Sequence, residues 1–177
     1  MTADRQSAAA PASSSQSLTI HAPGTSPNTD PIEVRVTGAA PGATVALEAS
    51  LLDDDGDEFS SQATFTASED GVVDLTEHAP DDGDWTGVEP MAWLWAMTGD
   101  GDAPFARLSG SQRVDVTLRA ETDDDEATRT VTRILHDDGI ERRDVDADGV
   151  VGTLYLPADD GPHPGVLELH GSGGRRG

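Results

Sequence analysis

The sequence predicts a mainly β protein built as a β-sandwich, and three observations carry that expectation. From Ile32 onward, short runs of alternating apolar and polar residues recur, each closed by a turn signal. No segment sustains the 3.6-residue period of an amphipathic helix. The chain has no cysteine, so stability must come from a packed core and not from a disulfide framework.

The runs follow one another in a consistent manner. Ile32, Val34 and Val36 alternate with Glu33 and Arg35 until Gly38, Pro41 and Gly42 interrupt. Val45, Leu47, Ala49 and Leu51 then share one face of a half-buried strand that stops at the acidic turn Asp53–Asp57. Phe59–Thr66 and Val72–Leu75 give two weaker strands around Glu69, Asp70 and Gly71, a tight-turn composition. Trp85, Trp93 and Trp95 fall close together, and Trp93 and Trp95 are expected to bury a large area as a plug of the sandwich core, with Gly87 and Pro90 fixing how the chain enters and a ligand-stacking role as the alternative. Val114, Val116 and Leu118 supply the clearest later alternation, and the acidic stretch Glu121–Glu126 reads as a linker. Thr128–Leu135, Val150–Leu156 and Gly165–His170 read as further extended segments, the last an apolar strand running into glycines. Only roughly 50 residues remain from Ala127, too few to hold a core of their own easily, so these segments are expected to dock as extra strands or stay mobile.

Charge narrows the function classes. The chain has 177 residues, 34 of them acidic and 11 basic, every basic one arginine, for a formal net charge of -23. Such a surface repels nucleic acid and anionic membranes, and suits a high-salt cytoplasm where ions screen self-repulsion. No run approaches the ~20 apolar residues of a membrane span. The segment before Leu18 lacks the apolar stretch of about 7 to 15 residues that a secretion signal needs, and reads as a disordered arm or as the product of a cloning or start-site artefact.

Candidate chemistry is sparse. Asp144, Asp146, Asp148 and Gly149 match the first half of a calcium loop, but the twelfth position is Tyr155 where a bidentate Glu belongs, so an acidic hairpin turn is the better reading. The Asp53–Glu58 and Asp123–Glu126 clusters read as solvated loops. His21, His78, His136 and His163 show no zinc-ligand spacing. No cofactor or metal site is expected. The most suggestive element is the loop Gly171, Ser172, Gly173 and Gly174 directly after an apolar strand. Glycines there let backbone N–H groups approach a developing oxyanion to ~2.7–3.1 Å; the alternative is a flexible glycine-rich tail. Ser172 lacks the spacing of a nucleophile elbow, and no histidine is placed by sequence to serve it.

Four stretches taken together resemble one family: residues 38–51 (GAAPGATVALEASL), 59–75, 85–97 (WTGVEPMAWLWAM) and 151–174 (VGTLYLPADDGPHPGVLELHGSGG). In that order they are similar to the acyl-CoA thioester hydrolase and bile-acid-CoA:amino-acid N-acyltransferase family. The resemblance implies an immunoglobulin-like β-sandwich followed by the first strands of a truncated α/β-hydrolase domain. It also implies cleavage of acyl-CoA thioesters, or acyl transfer to an amino acid, by a nucleophile-His-Asp triad. No G-x-S-x-G or G-x-C-x-G occurs in these 177 residues, so no catalytic residue can be assigned. The resulting expectation is a disordered arm at 1–17, a sandwich at 18–122, and a linker with an incomplete hydrolase start at 123–177. The protein is expected to be haloarchaeal and cytoplasmic, and to engage acyl-CoA only when completed by a hydrolase domain; the oligomeric state stays open. The alternative is a non-enzymatic β-sandwich interaction module.

Overall fold

The computed structural model describes residues 17–99, 106, 108, 112–136 and 139–169. Among these residues, twelve strands and one short helix follow in order: β1 Thr19–His21, β2 Thr25–Pro27, β3 Arg35–Thr37, β4 Thr44–Leu52, β5 Glu58–Thr66, β6 Val72–Asp74, β7 Asp82–Gly83, α1 Ala92–Trp95, β8 Thr98–Gly99, β9 Arg113–Glu121, β10 Glu126–Ile134, β11 Glu141–Ala147 and β12 Val150–Leu156. The mainly β expectation holds. A three-stranded antiparallel sheet (β1-β3-β6) faces a seven-stranded sheet of order β2-β10-β9-β4-β5-β7, with β8 also on β5.

Alternation in the sequence becomes burial because each inward side chain meets the opposite sheet. In β4 the inward set is Val45, Leu47, Ala49 and Leu51; in β9 it is Val114, Val116, Leu118 and Ala120, and all are buried. The small sheet answers with Ile20, Val36 and Val73, joined by Val34 and Leu75 just beyond its strands. Together they form one continuous core. Fully burying an aliphatic side chain of this size is worth about 1.5–3 kcal/mol, so these positions dominate the stability of the fold.

The turns show how the acidic residues are used. Asp53 is buried because its Oδ1 accepts from the backbone N–H groups of Asp55 and Asp57, folding the β4–β5 connection over its own carboxylate. At Ser68–Gly71 the turn sends β5, in the large sheet, into β6, in the small one, so these strands do not form a hairpin. Gly71 has φ +71°, and a Cβ there would collide with the carbonyl oxygen of Ala39. Asp74 closes the next bend: its Oδ1 accepts from the Thr76 hydroxyl at 2.7 Å and from the Thr76 N–H at 3.0 Å. Hydrogen bonding from that hydroxyl holds the Asp74 carboxyl below its ordinary pKa, with smaller help from Arg35 and His78.

Three sequence expectations change. The acidic stretch Glu121–Glu126 is not a linker but the turn of the β9–β10 hairpin, in which Glu121 pairs with Glu126. Thr122 N–H donates to the carbonyl of Asp125, and Asp125 N–H donates back to the Thr122 hydroxyl. β10 therefore continues the large sheet. The first strands lie ahead of Ile32: β1 joins the small sheet, while β2 runs parallel to β10 in the large one. This early segment is tied down across the chain, with Leu18 N–H donating to Asp125 Oδ2 at 2.7 Å and Arg129 donating through Nε and Nη2 to the Ala22 carbonyl. Finally, Gly165–Leu169 forms no strand and its side chains stand exposed. Among the described residues it has no neighbour to bond, so nothing holds it as a strand.

Candidate functional site

The loop singled out as an oxyanion hole, Gly171, Ser172, Gly173 and Gly174, lies outside the described residues. What can be followed is the approach to it. β11 and β12 form an antiparallel hairpin with Ala147 opposite Val150, leaving Asp148 and Gly149 as a two-residue loop. Both loop residues have positive φ, 52° and 80°. That matches a type I′ turn, for which Asp-Gly is a preferred pair. The calcium-loop reading fails on this geometry: Asp144 and Asp146 project from a strand, and no group of metal-competent side chains is gathered among the described residues.

The hairpin's two faces differ. Val145, Ala147, Val150, Leu154 and Leu156 share one face by strand alternation. The other mixes Arg142, Asp144, Asp146 and Thr153 with Tyr155 and Val151. Val150, Leu154 and Tyr155 are exposed, as are Val166, Leu167 and Leu169 beyond. Arg143 pairs with Glu141 through Nε and Nη2 on the apolar face's outer end, which lowers the Glu141 pKa and raises that of Arg143.

The tryptophan segment is split. Trp93 on α1 is fully buried, and Trp85 is buried against Phe65 with ring centroids 6.3 Å apart. Ser61, inward on β5, donates its hydroxyl to the Trp93 carbonyl at 2.7 Å, which satisfies a polar group inside the core. Met91 Sδ accepts the backbone N–H of Ile32. These contacts bear out the core-plug expectation for Trp93. Trp95 corrects it: two residues further along a helix turns the side chain to the other side, and Trp95 is 60% exposed.

The residue that sequence reading passed over is Arg133. It occupies the inward position two residues after Val131 on β10 and is 1% exposed. Its Nη2 donates to the carbonyls of Asn28 and Asp30, both at 2.9 Å. Desolvation lowers its pKa, against a smaller opposing pull from Asp30. The signal was present as an arginine in phase with the buried face of an alternating run. Arg133 sits on a groove of about 440 Å³ also bounded by Phe59, Leu94, Trp95, Met97 and Leu135. By contrast the exposed Arg119 is held by Glu121 and Glu126 in a surface network, which raises its pKa.

Residues 29–147 match the family described as the acyl-CoA thioester hydrolase/BAAT N-terminal region. The chain is 34% identical over 155 residues to human acyl-coenzyme A thioesterase 1, an alignment covering 82% of this chain and 36% of that protein. It is 35% identical over 162 residues to mouse bile acid-CoA:amino acid N-acyltransferase, covering 82% and 37%. Against mouse peroxisomal succinyl-coenzyme A thioesterase it is 32% identical over 167 residues, covering 89% and 39%. The chain thus spans well under half the length of these relatives.

Proposed function

The chain belongs to the acyl-CoA thioester hydrolase/BAAT family by the match over residues 29–147, and from that premise we propose that it supplies the N-terminal sandwich of an enzyme that cleaves or transfers acyl groups from coenzyme A thioesters. The family match is the observation that carries this reading. The unit it describes ends at residue 147, within the hairpin that leads toward the glycine loop.

In the intact enzyme, a serine or cysteine outside these 177 residues attacks the thioester carbonyl. The tetrahedral oxyanion is held by backbone N–H donors, one of them from Gly171–Gly174, and collapse expels the coenzyme A thiolate. Water, or an amine in the transferase branch, then takes the acyl group from the enzyme. Coenzyme A release therefore depends on residues this sequence does not contain. We place the boundary between the sandwich and the hydrolase part after β10, near Leu135, and the protein in a high-salt cytoplasm. Among the described residues no helix is long and apolar enough to cross a membrane.

The test is thiol release from acyl-CoA by the 177-residue chain. We expect no rate above buffer. Turnover that survives Ser172→Ala and substitution of Gly173 would sink the proposal. The second reading, a non-enzymatic module, draws support from the exposed apolar face of the β11–β12 hairpin. A downstream frame carrying a nucleophile elbow supports the enzyme, and a clean stop favours the module or a decayed gene.

A further inference from the structure

Arg133 presents an energetic anomaly. Two carbonyls serve Nη2, while the equally buried Nε and Nη1 have no hydrogen-bond partner, and the guanidinium makes no ion pair among the described residues. Taking a cation out of water costs several kcal/mol unless an anion and a full set of hydrogen bonds offset it. A methionine or leucine at this inward position would fill the core without that cost. The charge is therefore not explained by packing.

Its surroundings suggest what offsets it. The groove beside Arg133 has walls of Phe59, Leu94, Trp95, Met97 and Leu135, and its volume, about 440 Å³, falls in the range of small-molecule sites. Among the described residues, Arg133 and Asn28 are the polar ones on its lining. One fixed positive charge in an apolar trough is complementary to a ligand with one anionic head and a hydrocarbon body.

We propose that this groove binds a single-chain fatty carboxylate, whose head accepts a hydrogen bond from an unpaired N–H group of Arg133 and whose chain lies against Leu94, Trp95, Met97 and Phe59. Because those nitrogens are sealed from solvent, binding opens the groove, and the exposed Trp95 on its wall reports the movement. The site needs no nucleophile, so it stands or falls separately from the catalytic reading.

The experiment titrates the 177-residue chain with decanoate at high salt, which screens the general repulsion of anions by a net charge of -23. Tryptophan fluorescence and calorimetry are the readouts, and decanol and decyltrimethylammonium are the comparison ligands. We expect saturable decanoate binding at one site, with decanol and the cationic amphiphile weaker by at least about 10-fold. Arg133→Met should lose that preference, weakening decanoate by at least about 10-fold while decanol is unchanged. Its melting temperature should stay level or rise. Trp95→Ala, at an exposed position that the fold does not depend on, should weaken both ligands alike. Equal binding of decanoate and decanol, no binding of decanoate, or full decanoate affinity in Arg133→Met would overturn the proposal. If Arg133→Met does not fold, the ligand comparison and Trp95→Ala decide it.

Discussion

The β9–β10 and β11–β12 hairpins are both antiparallel, both closed by short acidic turns and both rich in alternating residues, yet they end in opposite states. β9 lies in the middle of a sheet with a second sheet across from it, and Val116, Leu118 and Ala120 are completely buried. Among the described residues β12 has only β11 beside it, and Val150, Leu154 and Tyr155 are exposed at 63%, 44% and 61%. Alternation specifies a strand and its two faces, while burial depends on whether a second layer exists to receive one of them. A two-stranded ribbon without such a layer is marginal in water.

Amide hydrogen exchange separates the two hairpins most strongly. Amides of Val116 and Leu118 should exchange only through global unfolding, at a cost of ~5 kcal/mol or more, while Val151, Thr153 and Val166–Leu169 should exchange at least about a thousandfold faster. Equal protection would mean that the hairpin has a partner layer after all. Next in size are paired core deletions. Leu118→Ala should cost about 2–5 kcal/mol in denaturant unfolding, whereas Leu154→Ala should stay within about 0.5 kcal/mol.

Gly149→Ala sharpens the contrast within the hairpin itself. Placing a Cβ at φ 80° costs about 1 kcal/mol. The expected outcome is loss of cross-strand nuclear Overhauser contacts between Val145 and Gly152, with no change in the sandwich's Tm. The smallest effect belongs to Thr76→Val, which removes the hydroxyl that lowers the Asp74 pKa. A depressed carboxyl pKa stabilises the fold above the unfolded value of ~3.9 and stops doing so as pH falls through the folded value. The variant should therefore be less stable than the parent at pH 7 by about 1 kcal/mol or less, and the gap should close in acid.

Strands whose signal is local were legible. Val45–Leu51 and Val114–Leu118 announce β4 and β9 because every second residue is apolar, and Asp148–Gly149 announces its turn because few other pairs accept two positive φ angles. Elements set by distant partners were not legible. β2 is three residues, Thr25–Pro27, and exists because β10 offers it a parallel edge. The Glu121–Glu126 stretch looks like a linker because its charges are visible, while the Thr122–Asp125 bonds that fold it are not. The candidate site divides the same way: the glycine loop could be named from composition, but the buried state of Arg133 follows from its register against Val114 and Ser26.

That early segment also sets a schedule for synthesis. Ala22 receives its hydrogen bonds from Arg129, and Leu18 gives its own to Asp125, each across 107 residues. Emerging from a ribosome at ~5–20 residues per second, the first strands wait on the order of 5 to 20 s for the chain that completes them. During that interval the edge of β2 is open to other nascent chains, so a translational pause before β10 should lower yield more than an equal pause after it.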